Sequence, residues 1–140
     1  MSDRIIRSLF EARLKTWATA RVPALPIAYE DVAFTPPADG SPYLRPFLLP
    51  ANPTSEDLEG KHTAYRGVFQ VSVVTKAGEG RGAAGLIADE IAALFPNNLD
   101  LTKTDFTVYV RSPMATASAR QDDTTTSLPL SFTYRADTAS

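Results

Sequence analysis

Four places in the chain carry residue types that perform chemistry in other proteins. The only histidine, His62, has no nearby acid and nucleophile to complete a catalytic triad, and no neighbouring ligands for a metal ion. Acidic residues gather in two further places, at Glu56, Asp57 and Glu59 and at Asp122 and Asp123. Neither acidic group has the regular oxygen-donor spacing and closing glutamate of a calcium loop. We therefore predict no metal site, and we place His62 and both acidic groups in exposed loops.

The fourth place is the glycine-rich segment Gly78–Gly82, which reads Gly-Glu-Gly-Arg-Gly. The backbone N–H groups of such a segment bind phosphate in some proteins when a helix follows. This segment lacks the lysine-serine or lysine-threonine ending of a P-loop and the full spacing of a dinucleotide fingerprint. We interpret it as a structural hinge. The sequence thus predicts no cofactor and no catalytic residues, and we do not expect an enzyme.

The composition is that of a folded globular protein. The 140 residues are 44% hydrophobic and 21% charged, which suits one domain over residues 1–140. A net charge of -2, from 14 basic and 16 acidic residues, gives no overall attraction for nucleic acid. The absence of cysteine excludes disulfides and thiolate chemistry. No apolar run approaches the ~20 residues of a membrane span, and the N-terminus lacks the apolar core of a signal peptide. We expect no membrane partner and a cytoplasmic protein.

Two helices are predicted from apolar residues at three- and four-residue spacing. The first spans Asp3 to Ala20 and ends before Pro23. The second follows the glycine hinge and ends at Pro96. Its apolar stripe contains Ala83, Leu86, Ile87, Ile91, Leu94 and Phe95. We expect each helix to bury one face against a sheet.

Five strands are predicted from alternating apolar residues and strand-forming composition. They are Ile27–Phe34, Tyr43–Leu49, Thr63–Lys76, Phe106–Arg111 and Ser127–Arg135. Pro46 places the second of these at a sheet edge, because proline donates no ladder hydrogen bond. The long third strand has one strongly apolar face and one mixed face, which meets water or another subunit. Loops rather than helices join the strand pairs, so we predict an α+β fold: a mainly antiparallel sheet of about five strands with two helices packed against it.

An ordered set of segments resembles the phage tail terminator family, the group similar to lambda minor tail protein U. The set runs from the arginine-glycine strand at Arg66-Gly67-Val68-Phe69, through Gly78-Glu79-Gly80, to the alanine-rich helix that ends at Leu94-Phe95-Pro96. The resemblance implies a phage or prophage protein that forms a ring, usually of six subunits, at the head-proximal end of the tail tube. Such a ring halts tube polymerisation and presents a joining surface to the head. The implied partners are further copies of the chain, the tail-tube protein and the head–tail connector protein. The implied location is the virion tail, after assembly in the host bacterial cytoplasm.

A ring built from one contact between two different surfaces needs both surfaces on every copy. The interface candidates come from the polar loops and from arginines beside well-defined elements: Glu56, Asp57, His62, Arg66, Arg81, Arg120, Asp122 and Asp123. For Arg66 and Arg81, a solvent-facing charge and a bridge between subunits both remain open. Two other functions also remain open: a neck or head-completion protein, and a small-molecule binding module that uses a concavity between helices and sheet.

Overall fold

The computed structural model has two helices and one antiparallel sheet. It describes residues 2–21, 24–30, 32–37, 41–51, 54–55, 62–77, 82–103, 106–121 and 124–139. The helices are α1 (Ser2–Ala20) and α2 (Gly82–Leu94). Within the described residues the strands are β1 (Tyr43–Pro50), β2 (Thr54–Ser55), β3 (His62–Lys76), β4 (Asp100–Lys103), β5 (Phe106–Val110), β6 (Ala115–Thr116), β7 (Arg120–Gln121) and β8 (Thr125–Ala139). In these residues no helix is long and apolar enough to cross a membrane.

The sheet is built on the two longest strands, β3 and β8. They pair antiparallel over 15 residues each, from His62 opposite Ala139 to Lys76 opposite Thr125. The main strand order is β1-β3-β8-β5-β4, while β2 pairs with β3, and β6 and β7 pair with β8. The predicted α+β class and antiparallel sheet are confirmed. The predicted number of about five strands is wrong, because β2, β4, β6 and β7 are only two to four residues long and are too short to show an alternating pattern.

The predicted strand Ile27–Phe34 is also wrong. Ile27 makes only an isolated parallel bridge with Leu44, and a turn follows in which the N–H of Val32 donates to the carbonyl of Tyr29. Its apolar and aromatic residues have a strand-like composition, but they pack beside β1 instead of pairing with it along their length. Composition predicts such a segment as a strand because it registers side-chain type and not pairing.

One face of the sheet lies beneath both helices and is filled with aromatic rings. Phe10 of α1 lies 5.0 Å from Phe69 and 5.1 Å from Phe132 between ring centroids, and 5.7 Å from Tyr134. Phe95, just after α2, lies 5.2 Å from Phe132. Because Phe69, Phe132 and Tyr134 come from β3 and β8, these ring contacts hold both helices against the centre of the sheet.

Helix α2 buries a face that overlaps the predicted one in part, since Ile87, Ile91 and Phe95 are buried as predicted. Its buried residues are Ala84, Ile87, Ala88 and Ile91. The predicted stripe placed Ala83 and Leu86 in the core, which is wrong, since Ala83 is exposed and Leu86 is 59% exposed. Small alanines at the buried positions let the helix approach the sheet closely. Two contacts with α1 and the residue after it fix this rotation: Arg13 Nε donates to the Leu94 carbonyl at 2.8 Å, and Arg21 pairs with Glu90 at 3.1 Å.

Strand β1 lies at the edge of the sheet, as its proline predicted. The residues whose backbone groups point away from β3 are Leu44, Pro46, Leu48 and Pro50. The N–H of Leu44 donates to the carbonyl of Pro26 at 3.0 Å, and the N–H of Leu48 donates to Oε1 of Glu30 at 2.9 Å. The two prolines have no N–H. Every outward N–H donor of β1 is therefore either paired or absent, which disfavours pairing of an additional strand at this edge.

Candidate assembly interface

The face of the sheet opposite the helices is the open face of this protein. Residues directly opposite each other in an antiparallel sheet share a face, and alternate residues along a strand lie on opposite faces. Gly67 and Tyr134 form one such pair on the helix side, so the next pair, Arg66 and Arg135, lies on the open face. The mixed face predicted for the third strand is thus the face that neither helix covers.

The open face contains a groove of about 420 Å³ that we call the arginine groove. It is lined by Arg66, Gly67, Val68, Arg111, Thr133, Tyr134 and Arg135. Arg111 is exposed, whereas Arg66 and Arg135 are partly buried and also interact within the chain. The exposed guanidinium group of Arg111 favours a partner surface with negative charge.

Large exposed apolar side chains border the arginine groove on two sides. Leu49 of β1 is 50% exposed. It lies opposite Val68 of β3, which in turn lies opposite Thr133 of β8, so the three residues share the open face. Tyr109 of β5 is 40% exposed and pairs with Arg135. Leucine and tyrosine beside arginine are the residue types of protein–protein contacts, since tyrosine and arginine are enriched there and exposed apolar area gains from burial.

A second groove of about 430 Å³ lies farther along the same face. It is lined by Arg45, Phe47, Gln70, Ser72, Ala117, Arg120, Ser127, Pro129 and Ser131. Arg45 lies over the ring of Phe47, with 5.6 Å between the guanidinium carbon and the ring centroid. We call this the polar groove. Its arginines extend the basic character of the open face toward the opposite end of β3 and β8.

A close contact between Gly67 and Tyr134 lies on the helix side of the sheet, behind the arginine groove. A Cβ on Gly67 would come within 2.6 Å of the Leu49 carbonyl oxygen and of the Tyr134 hydroxyl. Tyr134 is 2% exposed and its hydroxyl has no hydrogen-bond partner among the described residues. Burial, with a smaller contribution from Asp3, raises the pKa of Tyr134 to about 12 against an opposing effect of Arg7.

The structure places only part of the sequence-predicted interface set. Arg66 lines the arginine groove and Arg120 lines the polar groove, so both lie on the open face but in different grooves. His62 is the first residue of β3 and not a loop residue, contrary to our placement of it. The remaining predicted residues lie outside the described residues: Glu56, Asp57, Arg81, Asp122 and Asp123.

Sequence reasoning missed Arg111, Arg135, Leu49 and Tyr109 as candidates. Leu49, Arg111 and Arg135 are the last residues of predicted strands, and Tyr109 lies within one. Nothing in the sequence gives the register that brings β1, β3, β5 and β8 together. The alternation of β8 did contain one signal, because Arg135 falls out of phase with Phe132 and Tyr134 and so belongs to the face opposite the aromatic core.

The described residues offer no group of three or more histidine and acidic side chains that could hold a metal ion. Another groove, of about 480 Å³, separates residues 28–36 from β1, and aromatic side chains of Tyr29, Phe34, Tyr43 and Phe47 line it. It lies at the edge of the sheet and carries Glu30 and Arg45 as its charged residues. This aromatic groove is a concavity of the size that small ligands occupy.

Comparison with known proteins identifies the family. A model of the family described as phage tail terminator protein matches residues 5–134. The chain belongs to the phage tail terminator family. A solved protein structure shares 44% sequence identity with this chain and superposes on it with a TM-score of 0.83; the match covers 97% of this chain and 96% of the solved one. No curated protein matches the chain. The family is one of structural phage-tail proteins, so this chain is a component of the virion tail.

Proposed function

We propose that this tail terminator closes the head-proximal end of the tail tube as a ring of identical subunits, stops tube polymerisation and provides the surface to which the head connector binds. The family match over residues 5–134 carries the proposal. Six copies is the number that the family resemblance implies. The protein comes from a phage or prophage and assembles in the host cytoplasm.

The open face supports a role in assembly. It combines exposed arginine with the exposed side chains of Leu49 and Tyr109, whereas the opposite face is covered by the two helices. A protein with a packed face and an open, chemically mixed face has surface available for contacts with other subunits.

The closed edge of β1 limits how subunits join. Because Glu30 and Pro26 accept from the outward donors of β1, a neighbouring copy does not extend the sheet from this edge. We therefore expect side-chain contacts between copies at this side, and not a continuous intersubunit sheet through β1.

Tube growth is the direct test. Purified tail-tube protein is polymerised with increasing amounts of the tail terminator, and tube lengths and ends are measured by negative-stain electron microscopy. We expect tubes that become shorter as the terminator concentration rises, with a ring at one end. Light scattering over a concentration series measures whether the ring also forms without tubes. Unchanged tube lengths with bare ends would contradict the proposal.

The same experiment distinguishes a tail terminator from the nearest alternative, a neck or head-completion protein. A neck or head-completion protein would bind the isolated head connector and leave tube length unchanged, whereas a terminator acts on tubes without the connector. The aromatic groove of about 480 Å³ is the observation that favours a small-molecule binding module. A protein that stays monomeric and binds neither tubes nor connector would favour the small-molecule binding module.

A further inference from the structure

We infer that neighbouring subunits of the ring join head to tail, with the outer surface of α2 from one copy seated in the arginine groove of the next. The inference rests on the proposed function, since it names the two surfaces that form the ring contact. The sequence predicted only part of the groove surface, through Arg66 and the mixed face of the third strand, and it placed Leu86 of α2 in the core.

The outer surface of α2 is apolar and acidic. Its exposed residues lie on one side of the helix and are Gly82, Ala83, Leu86, Asp89 and Ala93. Leu86 is 59% exposed although helix α2 is firmly packed on its other side. Among the described residues only Val32, Leu49 and Tyr109 are comparably exposed large apolar side chains. Leu86 therefore gains from burial that its own chain does not provide.

The open face between Leu49 and Tyr109 is wide enough to hold a helix. Leu49 on β1 and Tyr109 on β5 are separated by β3 and β8, which makes three strand spacings or roughly 14 Å. A helix with its side chains has a diameter of about 10–12 Å. A helix laid between Leu49 and Tyr109 would cover both apolar side chains and place its own exposed leucine over Val68 and Thr133.

Charge selects α2 over α1 as the helix that enters the groove. Helix α2 contains Asp89 and Glu90 and no basic residue. Glu90 is paired with Arg21 of its own chain, and Asp89 is exposed. Helix α1 has four basic residues against two acidic ones, and its Arg4 and Lys15 are exposed. The exposed guanidinium of Arg111 attracts the acidic helix and repels the basic one.

The two surfaces lie on opposite layers of the protein, one on the helix layer and one on the open face of the sheet. A contact between different surfaces of identical chains is heterologous. It forms a closed ring when the rotation from one copy to the next divides a full turn evenly. A contact of this kind leaves one unused α2 surface and one unused groove on every incomplete assembly, so growth continues until the ring closes.

Cross-linking between two single-cysteine variants tests the contact, because the natural chain has no cysteine. Leu86→Cys and Leu49→Cys are purified separately, mixed with tail tubes and treated with a short bismaleimide. We expect cross-linked dimers in the mixture, none with either variant alone, and a ladder up to the ring when one chain carries both substitutions. Val32→Cys is the matched control, since Val32 is also 59% exposed but lies on neither surface, and we expect no cross-link when it is mixed with Leu86→Cys.

A charge exchange tests the same contact without cross-linking. Arg111→Glu is expected to weaken self-association by about tenfold, and adding Asp89→Arg to the same chain is expected to restore it. Arg4→Glu, an exposed charge on α1, is expected to leave association unchanged. Circular dichroism confirms that each variant is folded, as surface substitutions of this kind should be.

The outcomes separate this inference from the proposed function. Natural chains that form rings while Leu86→Cys links to itself, or while the charge exchange has no effect, would overturn the head-to-tail contact and leave the terminator function standing. Natural chains that form no ring, alone or on tubes, would overturn both.

Discussion

The helix-covered face and the open face are made from alternate residues of the same strands, yet they meet different surroundings. On the covered face, Phe69 and Phe132 interlock with Phe10 of α1 at 5.0 and 5.1 Å, and both are at most 1% exposed. On the open face, the adjacent Val68 and Thr133 line a groove bordered by arginine. Folding requires close packing on the first face and tolerates a mixed surface on the second, which is therefore free to serve assembly.

Adjacent substitutions in β8 should separate the two faces most strongly. Phe132→Ala removes a fully buried ring that contacts Phe10, Phe69 and Phe95, and we expect it to lower the free energy of unfolding by about 3–5 kcal/mol. Thr133→Ala, one residue later on the open face, should cost less than about 1 kcal/mol. Urea unfolding followed by circular dichroism measures both. Equal losses in the two variants would contradict the division into a packed face and an open face.

The same glycine-to-alanine change should alter the free energy of unfolding in opposite directions at two positions. Gly67→Ala places a Cβ 2.6 Å from a backbone oxygen of Leu49, which cannot move aside cheaply, so we expect a loss of about 3 kcal/mol. Gly85→Ala adds a Cβ that meets nothing within 4 Å, in a helix, where alanine is favoured over glycine by about 1 kcal/mol. Urea unfolding should therefore show destabilisation at Gly67 and stabilisation at Gly85. A stable Gly67→Ala variant would show that the contact of Gly67 with Leu49 and Tyr134 is not tightly packed.

The covered face was largely predictable from the sequence, and the open face was not. The period of α1 and the alternation of β3 and β8 identify Phe10, Phe69 and Phe132 as buried residues, because burial imposes a periodic pattern. The open face imposes no such pattern. Arg111 joins Arg66 and Arg135 only through the order β3-β8-β5, which depends on long-range pairing that local sequence does not encode.

The rotation of α2 shows the same limit on the helix side. Its sequence is apolar nearly all round, so periodicity alone does not decide whether Leu86 or Ala88 faces the sheet. The choice is made by contacts with α1 and the residue after it, namely Arg13 with the Leu94 carbonyl and Arg21 with Glu90. The exposed Leu86 on which the proposed ring contact depends is a consequence of tertiary packing.

Alkaline pH should weaken the covered face through Tyr134. Its pKa is raised to about 12 by burial, above its ordinary value of 10.0. Below pH 10 the phenol is protonated in both folded and unfolded chains, so its full contribution to stability is present. As pH rises from 10 to 12 the unfolded chain releases the proton first, and the free energy of unfolding should fall by about 2 kcal/mol.

Tyr134→Phe is the control for this pH dependence. Phenylalanine keeps the ring against Phe10 and has no proton to release, so the part of the alkaline loss due to Tyr134 should disappear. Chemical unfolding at several pH values between about 9 and 12 measures the difference between the two proteins. Parallel stability curves for the two proteins would show that the Tyr134 hydroxyl is not held in its neutral form by the fold.

Substitution of Glu30, beside the β1 edge of the sheet, should have the smallest effect on the free energy of unfolding. Glu30→Ala removes the acceptor of the Leu48 N–H and the partner of Arg7 at 3.4 Å, which should cost about 1 kcal/mol. Glu30→Gln keeps an acceptor oxygen for Leu48 and should recover most of that loss. The freed N–H also reopens the edge of β1, so we expect Glu30→Ala to self-associate at concentrations at which Glu30→Gln stays as the natural chain does, as measured by light scattering. If both variants associate alike, the prolines at positions 46 and 50 are sufficient to close the edge, and the carboxylate serves only the contact with α1.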